Sequence, residues 1–187
     1  MIRPAKPEDA RFIAELMIHA MKELAMQFRN SDKTEDCIAL FQHFCTLEHN
    51  QYSYQNTLVY VENNEIIGSI TAYDGALLKA LRLPFFNYIK KYHDNADFIM
   101  EEESAAGEFY LDTISIKPGH RGKGLGQLLI KAAIAWAEQL GHQKVGLLVD
   151  KENPAAKRLY ERLGFVPEGE RILLGKPHEH LVYSLPI

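Results

Sequence analysis

Lys117-Pro118-Gly119-His120-Arg121-Gly122-Lys123-Gly124-Leu125-Gly126 is the stretch whose reading fixes the architecture. It follows a run that reads as a strand, 108–117, and leads into an apolar-periodic run, 125–140, that reads as a helix. Four glycines within eight residues let the chain turn tightly and bring several N–H groups to one point. That point is a helix N-terminus, where free amides and the helix dipole favour an anion. Arg121 and Lys123 add positive charge. The physical reading is a cradle for phosphate or pyrophosphate, and the bland alternative is a turn that only starts a helix. A Walker loop would need Ser or Thr after Gly122-Lys123, where Gly124 stands. A dinucleotide fingerprint would need a glycine where Gln127 stands.

Outward from this turn, strands and helices alternate. Downstream, 144–150 has a continuous apolar centre and reads as a central strand. Asn153 suits an N-cap, with Pro154 at the first position of a helix over 155–163. Runs 165–174 and 180–185 read as a last pair of strands. Upstream, 2–5 reads as a short strand, and Pro7-Glu8-Asp9 opens a helix carried by Phe12, Ile13, Leu16, Met17, Ala20, Leu24 and Phe28. A second helix is expected over about 32–49, then a hairpin of 57–62 and 65–73 around Asn63-Asn64. Residues 76–93 read as helical, broken or kinked near Pro84. The segment 97–108 is acidic and poorly patterned. The pattern predicts one mixed α/β domain over 1–187, with a helical insertion at about 76–96.

Composition narrows the partners. A net charge of −4 supplies no broad basic field, so nucleic acid is not expected. No apolar run approaches the ~20 residues of a membrane span. The N-terminus has no signal-peptide block, and Cys37 and Cys45 read as reduced thiols near the core, so a cytoplasmic protein is expected. His178 and His180 share a strand face without nameable further ligands, so no metal is expected. A homodimer is left open.

Arg121-x-x-Gly124-x-Gly126 resembles the loop R/Q-x-x-G-x-G/A of the GNAT superfamily of N-acetyltransferases. Leu111-Asp112-Thr113-Ile114-Ser115-Ile116-x-Pro118 looks like that family's fourth strand. Asn153-x-x-Ala156-x-x-x-Tyr160-x-x-x-Gly164-Phe165 looks like its segment after the fifth strand. The three pieces stand in family order and spacing across the second half of the chain.

The resemblance implies a mostly antiparallel sheet whose fourth and fifth strands splay apart to receive the pantetheine arm of acetyl-CoA. Backbone groups of Ile114, Ser115 and Ile116 would pair with that arm. Amides of Gly122, Lys123, Gly124, Leu125, Gly126 and Gln127, beside Arg121, would hold the pyrophosphate. Asn153 would face the pantetheine as well as cap its helix, with capping alone as the alternative, and Lys157 and Arg158 would approach the nucleotide phosphates, with an ordinary solvated charge as the alternative for either. Tyr160 stands where the family often places the acid that protonates the departing thiolate; packing alone is the alternative. The place of the glutamate base of some members holds Tyr110 here. Alternation would put Glu108, Tyr110 and Asp112 on one strand face, a strand bulge aside. Asp112 would take the amine proton through water or orient the amine, or else make structural hydrogen bonds.

The implied activity is acetyl transfer to a primary amine of a small molecule or peptide. The alternatives are a sensor or scaffold that binds acyl-CoA without turnover, or a protein for another nucleotide. The acidic residues Asp97, Glu101, Glu102, Glu103 and Glu108 read as a solvated segment, with attraction of a cationic amine as the alternative. Phe85, Phe86, Tyr88 and Tyr92 read as packing, with the wall of an acceptor pocket as the alternative.

Overall fold

The computed structural model describes residues 1–186. Seven strands form one sheet in the order β1-β2-β3-β4-β5-β7-β6. They are β1 Ile2–Pro4, β2 Thr57–Glu62, β3 Glu65–Asp74, β4 Phe109–Ile116, β5 Lys144–Asp150, β6 Val166–Leu173 and β7 Lys176–Ser184. Every neighbouring pair is antiparallel except β4 and β5, which run parallel. The helices are α1 Ala10–Arg29, α2 Thr34–Thr46, α3 Leu78–Tyr92, α4 Leu125–Gln139 and α5 Pro154–Arg162. Asn63 and Asn64, both at positive φ, make the expected hairpin turn, and Leu174 and Gly175 make a second between β6 and β7.

Two apolar clusters lie on the two faces of the sheet. One joins α1, α2 and α3 through Ile13, Met17, Phe28, Phe41, Phe44 and Phe85. The other joins α4 to the strands through Ile70, Phe109, Leu111, Leu129, Ile130 and Phe165. Phe85 sits 5.0 Å from Phe28 and 4.9 Å from Phe44, ring to ring, in edge-on contacts. Phe86 and Tyr88 pack against the same cluster, while Tyr92 is exposed. Phe85, Phe86 and Tyr88 therefore hold the helices together, as the packing reading expects.

Several local expectations are corrected. Helix α3 runs through Pro84 without a break, and α1 departs from helical geometry at Met21 (φ −140°, ψ 46°). Phe12 is exposed, and Ala10 and Ala14 take its place in the core. On α4, Leu128 and Leu140 face solvent, and the buried stripe is Leu125, Leu129, Ile130, Ala133 and Ala137. β7 begins four residues earlier than expected, at Lys176, which puts His178 as well as His180 in the sheet. Cys37 and Cys45 are free and buried, as expected.

Candidate active site

β4 and β5 pair only at Phe109 with Val145 and at Tyr110 with Gly146. Beyond that the strands diverge, so from Leu111 to Ile116 β4 has no strand partner on its β5 side. Backbone groups in such a gap need partners, and an extended ligand can supply them. The gap opens at one end beside the glycine turn and at the other on a cavity under α1.

At the glycine end a cleft of about 370 Å³ is lined by Ile116, Arg121, Gly122, Gly124, Leu125, Gly126, Gln127, Leu159 and Arg162. Gly122 (φ 77°) and Gly124 (φ 79°) occupy the left-handed region, so the turn itself requires them. Gly126 is different. It lies in the first turn of α4 at ordinary helical geometry, and a Cβ added there would meet nothing within 4 Å. Folding does not ask for glycine at 126, and the space beside it at the N-terminus of α4 is open. Arg121 Nε donates to the carbonyl of Ile116 at 3.0 Å, which ties the turn to the strand end and leaves the rest of the guanidinium exposed. Lys123 is exposed. These residues fit a pyrophosphate.

Asn153 caps α5, accepting from the Ala156 amide at 3.1 Å. Lys157 pairs with Glu179 at 2.7 Å, so its charge points toward β7; the α5 cation lining the cleft is Arg162. Tyr160 packs edge-on to Phe165, 6.0 Å between ring centres. Its hydroxyl has no hydrogen-bond partner among the described residues. Burial pushes the Tyr160 phenol above its ordinary range.

At the other end a cavity of about 250 Å³ is lined by Tyr160, Asp112, Glu103, Tyr110, Met21 and Asp150, among others. Asp112 sits at an irregularity in β4: Thr71 pairs with Thr113 and Ala72 with Leu111, which leaves Asp112 as the bulged residue. Tyr110 and Asp112 line the same cavity, as alternation expects, and the bulge shifts the alternation beyond Asp112, so that Leu111 and Ile114, three apart, share the α4 cluster. Asp112 Oδ2 accepts from Gln51 Nε2 at 2.7 Å and from the Tyr73 hydroxyl at 2.6 Å, and Oδ1 accepts from Thr113 at 2.7 Å. Tyr110 is buried beside Tyr73, 5.9 Å between rings.

The acidic stretch is not a solvated segment throughout. Glu101 and Glu102 are exposed, but Glu103 (6% exposed) and Glu108 (4%) are buried. Arg82 from α3, itself 6% exposed, donates from Nη2 to Glu103 at 2.6 Å. Glu108 bonds His180 at 2.6 Å and occupies the space that a side chain at Gly146 would need. Gln51, Tyr73, Arg82 and Glu103 are site residues that sequence reasoning missed. A signal existed: Arg82 shares the helical stripe of Leu78, Phe85 and Ile89, so it is a cation on a buried face.

A model of the acetyltransferase (GNAT) family matches residues 18–165. The mycothiol acetyltransferase of Beutenbergia cavernae is 33% identical over 92 residues, covering 46% of this chain and 30% of that protein. The chain thus spans about 30% of that relative's length, and 24% of that of the corresponding enzyme of Gordonia bronchialis. N-acetyltransferase family 8 member 2 of Rattus norvegicus is 24% identical, over 99% of this chain and 95% of its own. A solved acetyltransferase structure superposes with a TM-score of 0.86 at 31% identity, over the whole of both chains. The N-acetyltransferase of Staphylococcus aureus Mu50 follows with a TM-score of 0.78 at 25% identity, over 98% of this chain and all of its own.

Proposed function

The chain belongs to the GNAT acetyltransferase family, and on that premise we propose that it moves the acetyl group of acetyl-CoA to a primary amine of a small molecule or peptide, by direct attack in a ternary complex. One observation carries the reading. The gap between β4 and β5 has an anion cradle at one end and a cavity with Asp112 and Tyr160 at the other.

Amides of residues 122–127, with Arg121 and Lys123, hold the pyrophosphate. The free edge of β4 at Ile114, Ser115 and Ile116 receives the pantetheine, with Asn153 facing it. Lys157 reaches the nucleotide only by leaving Glu179. Acetyl-CoA supplies an activated thioester carbonyl. The amine nitrogen forms the C–N bond as the C–S bond breaks, and backbone amides near Ile114 steady the oxyanion. Asp112 takes or positions the proton of the amine. Tyr160, kept neutral by burial, gives a proton to the departing sulfur. The acceptor enters the cavity beside Met21, where α1 bends.

Two substitutions at one glycine test the cradle. Without ligand, Gly126→Ala should stabilise the chain by about 0.5 kcal/mol, because a helical glycine is replaced where its Cβ meets nothing. Acetyl-CoA at 100 times its dissociation constant should stabilise the unmodified chain by about 2.7 kcal/mol. Gly126→Glu should lose that stabilisation, by bulk and by like charge, with its circular dichroism unchanged. Equal stabilisation of the folded Glu variant, or stabilisation by ATP or NAD and by no CoA compound, would refute the reading.

A further inference from the structure

Tyr110 fills the place of the carboxylate base in some relatives, so the proton of the acceptor needs another destination. We propose that Glu103 and Asp112 act as one proton-accepting unit, which takes the proton that the acceptor's ammonium must lose before its nitrogen can attack. This rests on the acetyl-transfer reading above.

The two carboxylates come from different elements, the loop before β4 and the bulge within it, and line the same cavity as Tyr160. One side-chain amide spans both: Gln51 Nε2 stands 3.0 Å from Glu103 Oε1 and 2.7 Å from Asp112 Oδ2. Gln51 is held in turn, since Arg82 Nε approaches its Oε1 at 3.4 Å. Arg82 also donates from Nη1 to the Glu101 carbonyl at 3.0 Å, which anchors the loop that carries Glu103. Glu103 Oε2 has no hydrogen-bond partner among the described residues, so one carboxyl oxygen of the pair is free to receive a proton.

Charge counting gives the same result. Two carboxylates face one guanidinium, so full ionisation leaves an unbalanced negative charge in a buried place. Burial first, and then the charge of Asp112, push the Glu103 carboxyl up to about 8, against the pull of Arg82 and Gln51. Tyr52, Tyr73 and Tyr110 lie against the pair, and burial raises all three phenols; Tyr160, Asp150 and His178 are the other titratable groups lining the cavity. An ordinary carboxylate, near 4, is about six units less basic than an alkylamine near 10.4. A Glu103 carboxyl pushed up to about 8 closes most of that gap.

The balance is simple. One proton leaves the ammonium for a carboxylate oxygen of the pair. The freed lone pair makes the C–N bond, the C–S electrons go to sulfur, and the sulfur takes a proton from Tyr160, which regains one from the attacking nitrogen. The pair's proton then passes to solvent.

Two measurements decide the matter. With carbon-13 in the glutamate carboxyls of the full chain, one carboxyl should titrate near 8, and Asp112→Asn should move that midpoint down by more than about one unit. Every glutamate titrating below about 6, or a midpoint indifferent to Asp112→Asn, overturns the pair. With butane-1,4-diamine as probe acceptor and thiol release as readout, kcat should rise with pH to a plateau through a limb near 8. Glu103→Gln, which keeps the shape and most hydrogen bonds, should lose that limb and about tenfold or more of the plateau rate. A rate lowered equally at every pH, with the limb in place, would make Glu103 structural only and overturn the proposal. No thiol release with any primary amine overturns the acetyl-transfer reading, and the glutamate titration tells that failure from a failure of the pair.

Discussion

Tyr160→Phe should lower kcat by about 10²–10⁴-fold and leave acetyl-CoA affinity unchanged. The ring stays, so its edge contact with Phe165 and its place in the lining of the cavity stay too. Only the hydroxyl goes, and that hydroxyl makes no hydrogen bond inside the described structure, so its loss strands no protein partner. Burial raises the phenol, which therefore keeps its proton across neutral pH and can give it to sulfur. A stopped assay of thiol release, paired with a calorimetric titration of acetyl-CoA, separates the two effects. An unchanged kcat would assign Tyr160 to packing and remove the acid from the mechanism.

Arg82→Leu should cost about 3–5 kcal/mol of folding stability at high pH, the range for breaking a buried ion pair. Arg82 is 6% exposed, and its guanidinium holds Glu103, Gln51 and the Glu101 carbonyl together. Leucine takes the Arg82 hydrogen bonds from Gln51 and from the Glu101 carbonyl and leaves Glu103 without its cation. The pH dependence follows from the direction of the Glu103 shift. Its carboxyl binds a proton more tightly in the folded chain than in the unfolded one. Between the ordinary carboxylate value and about 8 the folded chain holds the extra proton, so this group's contribution to stability falls as pH rises through that window. Removing the cation penalises only the ionised form. The loss from Arg82→Leu should therefore be larger at pH near 9 than near 6, read by urea unfolding at both. A loss of the same size at both would mean that Glu103 is ionised throughout.

What the sequence carried well was local. The glycine turn, the strand before it and the helix after it are continuous in the chain, and their chemistry is that of neighbours. The tight turn at Gly122 and Gly124 and the Asn153 cap are local features that these residue types favour. The Asp112 cavity is another matter. Gln51, Tyr73, Arg82, Glu103 and Asp112 meet from five separate segments, and no periodicity records such a meeting. The acidic run looked solvated because its cation lies some twenty residues away, on α3: Glu103 stands 21 positions from Arg82. The bulge at Asp112 depends on how β3 pairs with β4, so alternation along one strand could not place it. Lys157 pairs with Glu179 on β7, a partner 22 positions away that the local sequence does not record.

Hydrogen exchange on the intact chain, with and without acetyl-CoA, tests the account most directly, because it reads the backbone of β4 and the glycine turn themselves. The account predicts slowed exchange on adding acetyl-CoA at amides within 114–116, where β4 lacks a partner toward β5, and within 124–127, at the N-terminus of α4. ATP at equal concentration should leave 114–116 unchanged, since it has no pantetheine arm. Acetyl-CoA that binds while both segments exchange as before would contradict the account.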